Sequence, residues 1–332
     1  MRRLIVFTLL VVGIAAVIAL PAATKPGGTN GKIVVNVDNN VTGQEQVYTV
    51  DPDGTDMQFL ADDAEAGQWS PDGTKIPLSS GYLNVDTGAF TDLHLPDGLY
   101  PGLFMFCGVW SPNGARLACE VFGENPSLNG IYTIRSSDGG DLQRVTTAEF
   151  DDCPADYSPN GRRLLVSNGQ LSVVESNGNG LHKITPDGIE VDFCSGSWSP
   201  QGNQIAFSAK VPDTDRSTIW VVHSDGSGLR KIAVPGCGGP RSNPTSIGCQ
   251  KPVWSPDGRK IMFERHFLIP NDHYDLYTVN PDGKKIAFTM FLPQTGQSDL
   301  YTVNADGSGL YQVTHAGLGA GLKDWGTHPL TR

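Results

Sequence analysis

The chain of 332 residues carries 24 Lys and Arg against 35 Asp and Glu, a formal charge of −11. Such a surface repels nucleic-acid phosphate and anionic lipid headgroups, so neither is an expected partner. Apolar content of 39%, charged content of 18%, 40 Gly and 23 Pro exclude a disordered chain and fit many short strands joined by tight turns.

The first element is a leader. Arg2 and Arg3 precede an uncharged apolar run at 4–20, and Ala22, Ala23 and Thr24 are small. That is the plan of a secretory signal peptide over residues 1–24. The run is 17 residues long, between a usual signal-peptide core and the roughly 20 that span a bilayer, so an uncleaved anchor helix is the alternative. No other stretch approaches membrane length, and no Cys follows the run until Cys107, which argues against a lipid-anchored terminus. Cleavage would leave 22 basic residues and a charge of −13. The expected location is secreted, or periplasmic within a cell envelope. In that oxidising setting six cysteines read as disulfides, and the absence of any C-x-x-C removes support for a zinc or thiol-redox site.

After the leader the chain repeats itself. "WSPDGTKI" (69–76), "WSPNGARL" (110–117), "YSPNGRRL" (157–164), "WSPQGNQI" (198–205) and "WSPDGRKI" (254–261) are five copies of one phrase. Their glycines, Gly73, Gly114, Gly161, Gly202 and Gly258, lie 41, 47, 41 and 56 residues apart. In each turn Ser opens, Pro presets φ, and Gly closes. The alternating residues that follow, as in "QIAFSA", are strand. A second phrase interleaves with the first: "VYTVDPDGTDMQFLA" (47–61), "IYTIRSSDGGDLQRVT" (131–146), "LSVVESNGNGLHKIT" (171–185), "IWVVHSDGSGLRKIA" (219–233) and "LYTVNADGSGLYQVT" (300–314), with a worn copy at 82–95. Each is strand, Asp/Asn-Gly turn, strand. Four short strands per 40–50 residues is the period of a β-propeller blade.

The alternation of "W-S-P-D-G-x-K-I-A-F" with "I-Y-x-V-N-x-D-G-S-G-L-x-x-L-T" resembles the WD40-like (PD40) propeller repeats of the TolB type, across nearly all of 31–326. The resemblance implies an all-β propeller whose aromatic-ended strand is innermost and whose "LxxLT" strand is outermost. TolB-type proteins carry an α/β domain before the propeller. Here only about ten residues separate the leader from the first strand, so functions of that domain are not expected. The domain reading is a leader (1–24), one propeller (31–326) and a tail (327–332).

Blades are counted by innermost aromatic ends: Trp69, Trp110, Tyr157, Trp198, Trp254 and Trp325. Each is expected to pack between blades. The count gives six blades; a seven-bladed ring with one degenerate blade is the alternative. Gly258 and Gly283 are only 25 residues apart, so an outer and an inner strand are missing around 276–304. The strand ending at Trp325 has no followers, and the unit at 31–61 has no innermost strand. Pairing the two completes one blade and closes the ring, which removes open sheet edges.

Catalytic motifs are absent: no G-x-S-x-G, H-E-x-x-H, G-x-x-x-x-G-K-[ST] or G-x-G-x-x-G occurs. The D-x-D-G at 51–54 lacks the later Glu of a calcium loop and reads as a turn. His266 and His273, with Glu264, Asp272 and Asp275 nearby, permit a metal site but read better as solvated loop residues. No cofactor is expected.

The SPDG and hairpin turns are short and share one face, whereas the connections on the opposite face vary widely, and function is carried by loops on rigid scaffolds. The apolar "LYPGLFMF" (99–106) on that variable face is either a contact patch or strand entering the core. The cysteines cluster there too, and the expected pairs are Cys107–Cys119, Cys153–Cys194 and Cys237–Cys249. Asp62, Asp63, Glu65, Asp151, Asp152 and Asp192, from loops entering innermost strands, are expected to form an acidic mouth suited to a basic partner or a cation; solvated carboxylates pointing outward are the alternative. The favoured reading is a monomeric, non-enzymatic, exported propeller that binds a protein or peptide. A metal-dependent hydrolase or lyase with a channel cation, and a cell-wall carbohydrate binder, are the rivals. Intact-mass analysis of exported protein should find an amino terminus at about 22–25; a mass that retains Met1 would identify the anchor instead.

Overall fold

A computed structural model describes residues 32–39, 44–51, 55–93, 103–147, 152–210, 216–232 and 248–254, and beyond these the backbone of the strands at 261–267, 273–279, 286–292, 297–303, 311–312 and 320–325. The leader, Asp151, Cys237 and the tail at 327–332 lie outside the described residues. Among the described residues the only helical element is the single turn Pro126–Leu128; everything else regular is antiparallel strand.

The described strands form seven sheets. The first joins Ala320–Trp325, Ile33–Asn39, Gln44–Val50 and Gln58–Asp62, in that order. Lys75–Leu78, Gly81–Asn84 and Phe90–Asp92 make the second. The third holds Leu103–Trp110, Arg116–Gly123, Gly130–Arg135 and Gln143–Arg144. Cys153–Tyr157, Arg163–Ser167, Leu171–Glu175 and His182–Lys183 make the fourth. The fifth holds Ser197–Trp198, Gln204–Lys210, Ser217–His223 and Arg230–Lys231. Gly248–Trp254, Ile261–Phe267 and His273–Val279 form the sixth, and Ile286–Leu292, Gln297–Val303 and Tyr311–Gln312 the seventh. The run at 276–304 is thus divided between two three-stranded sheets. Among the described residues the sixth has no fourth strand and the seventh no aromatic-ended first one, so a count of those aromatics runs to six while the described sheets number seven. Ile33 pairs with Trp325 and Val37 with Ala320, the terminal pairing expected from the two incomplete units.

Each apolar cluster lies between consecutive sheets and holds one aromatic of the repeat. Trp69 packs with Val34 and Val47 of the first sheet and Ile76 and Leu78 of the second. Trp110 packs on Tyr82 at 5.2 Å between ring centroids, joining second to third. Tyr157 lies among Val109, Ala118 and Ile131 of the third sheet and Leu164 and Val174 of the fourth. Trp198 meets Leu165 and Val173 of the fourth and Phe207 of the fifth, and Trp254 meets Ala206 and Val221 of the fifth beside Ile261 and Phe263. Polar links follow the same seams. The Gln68 amide donates to the Gly108 carbonyl, and the Trp198 amide donates to the buried Asp156 carboxylate at 2.9 Å. Cys153–Cys194 joins the fourth sheet to the approach to the fifth, and Cys107–Cys119 cross-links two strands of the third. Cys249 is disulfide-bonded as well, its expected partner Cys237 being outside the described residues.

The repeated turn is one hydrogen-bonded device built several times. The Ser70, Ser111, Ser158 and Ser199 hydroxyls accept from the amides of Lys75, Arg116, Arg163 and Gln204, five residues on. Gly73, Gly114, Gly161 and Gly202 have φ of 71°, 70°, 68° and 75°, the left-handed region that glycine enters without strain. Asp72 accepts from the Ser70 hydroxyl, from the Thr74 amide and hydroxyl, and from Lys75 Nζ. Burial alone would raise its pKa, but these hydrogen bonds outweigh burial and hold the carboxyl well below the usual range. A depressed carboxyl pKa contributes stability above the unfolded value, and that contribution is lost as pH falls through the folded value. Asn113 and Asn160 make the same amide-accepting bond without a charge. Asp72→Ala should therefore cost about 1 kcal/mol by thermal unfolding at neutral pH. Asp72→Asn should cost less and should flatten the acid limb of the stability curve; equal costs for both would show that the charge, and not the accepting oxygen that Asn retains, holds the turn.

Candidate functional site

The variable face of the third sheet carries the most unusual surface among the described residues. Leu103–Trp110 and Arg116–Gly123 are eight residues each and alternate between two faces of a ribbon. On one face Met105, Cys107, Cys119 and Val121 enter the cluster around Trp110. On the other, Phe104, Phe106 and Phe122 stand 62%, 44% and 38% exposed. Phe104 is directly opposite Phe122 with ring centroids 5.7 Å apart, and Phe106 stacks on Phe122 at 5.8 Å with planes 7° apart. Both readings of 99–106 therefore meet within 103–106: alternate residues enter the core and alternate residues form an apolar patch. A Phe that stays in water forgoes part of the ~1.5–3 kcal/mol its burial is worth, and these three rings in contact form a contiguous exposed apolar patch.

The neighbouring loop is held rigidly. Arg144 donates to the carbonyls of Ser127, Asn129 and Thr146, and its guanidinium lies 5.6 Å from the centroid of the Tyr132 ring. The Tyr132 hydroxyl donates to the Leu128 carbonyl at 2.9 Å, and the Asn125 side chain caps the turn Pro126–Leu128. The patch thus has a fixed shoulder. Phe122 is the member that the sequence reading did not single out. The signal was there: extending the Trp110–Leu117 register back along the hairpin reaches it. A bulge between Cys107 and Val109 supplies the one-residue step that brings Cys107 opposite Cys119.

The acidic residues read as a mouth are placed in different ways. Asp62, Asp63 and Glu65 are exposed. Asp62 ends the fourth strand of the first sheet and accepts from Gln46 Nε2 at 2.6 Å, while Asp63 has a φ of 52°. Asp152 is 6% exposed, and its two oxygens accept from the Thr146 hydroxyl at 2.7 Å and from Asn168 Nδ2 at 2.8 Å, so its carboxylate ties the third sheet to the fourth. Asp192 accepts from the Ser217 hydroxyl at 2.6 Å, and its carbonyl accepts from the Ser167 hydroxyl. Asp151 lies outside the described residues. Among the described residues no group of three His, Cys, Asp or Glu side chains converges as metal ligands would.

No protein-family profile and no curated protein matches the sequence. Solved structures do. TolB from Acinetobacter baumannii superposes with a TM-score of 0.56 at 16% identity, over 88% of this chain and 66% of that one, so this chain spans just under two thirds of its length. The β-propeller domain of the Trilobed protease from Pyrococcus furiosus superposes with a TM-score of 0.54 at 11% identity, over 88% of this chain and 94% of the domain. An oligogalacturonate lyase in complex with manganese gives 0.53 at 11% identity, over 88% and 75%. At such identities the likeness speaks to architecture alone: the chain has a β-propeller fold of the TolB type.

Proposed function

We propose that this protein is an extracytoplasmic, non-enzymatic propeller that captures a protein or peptide on its variable face, with Phe104, Phe106 and Phe122 as the anchor. The observation that carries the reading is the exposed, mutually stacked aromatic trio on a covalently braced ribbon. Aromatic side chains dominate the energetic centres of protein interfaces, and a pre-ordered surface loses little entropy when a partner docks. In this reading the seven sheets are seven blades, closed into a ring by the pairing of 320–325 with 33–37. Two cross-links and a leader-like amino terminus favour an oxidising compartment. The exposed carboxylates Asp62, Asp63 and Glu65 supply an acidic rim at the junction of the first and second sheets. The preferred partner then combines apolar side chains with basic ones. Asp152, buried and fully hydrogen-bonded, serves the fold.

The test is capture from an extracytoplasmic fraction, followed by titration of the captured protein. Replacing all three rings (Phe104→Ser, Phe106→Ser, Phe122→Ser) should weaken binding at least tenfold and lower the unfolding temperature only modestly, because the rings pack on one another outside the core cluster. Asp62→Asn, Asp63→Asn and Glu65→Gln together should lower affinity at low salt and little at high salt. A partner that binds the ring-less variant as tightly as the native protein would remove the patch from the mechanism.

A further inference from the structure

The repeat turns contain a substitution pattern that the partner-binding face does not use. Of the five S-P-x-G turns, those at Asp72 and Asp257 have Asp and the one at Gln201 has Gln; only Asn113 and Asn160 are Asn. Of the five hairpin turns matched above, four have Asp (Asp53, Asp138, Asp225 and Asp306) and only Asn177 is Asn. The fold brings these three asparagines together. They line one cavity of about 270 Å³ between the third and fourth sheets, on the turn face, together with Arg116, Gln143 and Tyr157.

Each asparagine keeps the turn bond that an aspartate would make. Asn113 Oδ1 accepts from the Ala115 amide, Asn160 Oδ1 from the Arg162 amide and Asn177 Oδ1 from the Asn179 amide, at 3.0–3.1 Å. Because each oxygen is held by backbone, each amide group is oriented; all three asparagines are exposed, and their Nδ2 groups are not committed to described residues. The exchange of Asp for Asn therefore leaves the turns intact. It removes three negative charges and puts fixed N–H donors in their place. Arg116 uses Nε and both N–H groups of Nη2 on Thr133 and Asp141, and one N–H of Nη1 on Asp141, which leaves one N–H uncommitted. Gln143 donates through Nε2 to Asp141, so its Oε1 remains free to accept. Tyr157 lies beneath, 2% exposed, its hydroxyl buried without a hydrogen-bond partner among the described residues. Burial pushes its pKa up, which keeps it neutral.

We infer that this cavity is a binding site for a small hydroxylated carboxylate, held through the amide donors of Asn113, Asn160 and Asn177. The three Asn amides and the uncommitted Arg116 N–H supply donors on the lining, which suit a ligand rich in acceptor oxygens. No lining side chain is acidic, and the nearby Asp141 carboxylate is already engaged by Arg116 and Gln143. Gln143 Oε1 and the Ser176 hydroxyl suit ligand hydroxyls. A cavity of this size lies below the ~300–1,000 Å³ of drug-sized pockets, which limits the ligand to about one sugar ring. Because Asp141 already balances Arg116, affinity is expected in the millimolar range, about 1 mM.

Isothermal titration calorimetry with D-glucuronate as the probe and D-glucose as its neutral counterpart tests the site on the full chain. Glucuronate should bind and glucose should bind at least tenfold more weakly. The double variant Asn113→Asp, Asn160→Asp restores the residue of the other turns, so it should fold with an unchanged unfolding temperature and bind glucuronate at least tenfold more weakly. Three results would overturn the proposal: no heat with glucuronate, glucose binding equal to glucuronate, or undiminished binding by the double variant.

Discussion

Each of the five described seams depends on one aromatic side chain. A three- or four-stranded sheet has two faces and cannot bury either alone, so each sheet here is stable only while sandwiched between its neighbours. Trp69, Trp110, Tyr157, Trp198 and Trp254 stand at these junctions, each in a cluster drawn from two consecutive sheets. Truncating a buried aromatic of this size costs about 3–5 kcal/mol, a large part of the ~5–15 kcal/mol that holds a domain folded. Cooperativity around the molecule follows, because loosening one seam exposes the faces of two sheets. The Cys153–Cys194 bond and the Asp156 carboxylate reinforce the same seam as Trp198.

This dependence explains how much could be read from the sequence. A residue needed once per sheet, at the same place, leaves a periodic trace, and so do the Ser hydroxyl and the left-handed glycine of each turn. The strands, their order, the terminal pairing of Ile33 with Trp325 and two disulfides followed from that trace. The seventh sheet did not, because its strands at 286–312 carry no aromatic-ended first strand to be counted. Asp152 was misleading for a related reason. Composition marks a run of acids before a strand, but it cannot tell a carboxylate that meets solvent from one that meets Thr146 and Asn168 across a seam. Phe122 went unnoticed because strand alternation assigns a face and does not say whether a neighbouring sheet covers it.

The two faces of the scaffold solve different problems. On the turn face the chain is constrained, since Ser, Pro and Gly are fixed by the turn itself. Only the third residue of the S-P-x-G phrase, and its counterpart in the hairpin turn, can exchange Asp for Asn at small cost. That is where Asp gives way to Asn, and the three exchanges fall on adjacent sheets. Turn chemistry alone accepts either residue, since both supply the oxygen that the backbone amide needs. It offers no reason for the exchanges to surround one cavity.

On the variable face the constraint is energetic. Phe104, Phe106 and Phe122 contribute little to the core in the free protein, so the ribbon that bears them is held mainly by its other face. The Cys107–Cys119 bond lies next to Phe106 in the chain and directly across the same two strands. A cross-link closing a loop of this length is worth about 3 kcal/mol in chain-entropy terms, comparable to what the partly exposed rings forgo. The covalent brace and the Arg144 clamp on the adjacent loop thus allow an apolar surface to stay ordered in water before anything covers it. A surface that is already ordered would keep more of its interaction energy as affinity, and that is the physical reason the proposed partner is sought at this ribbon.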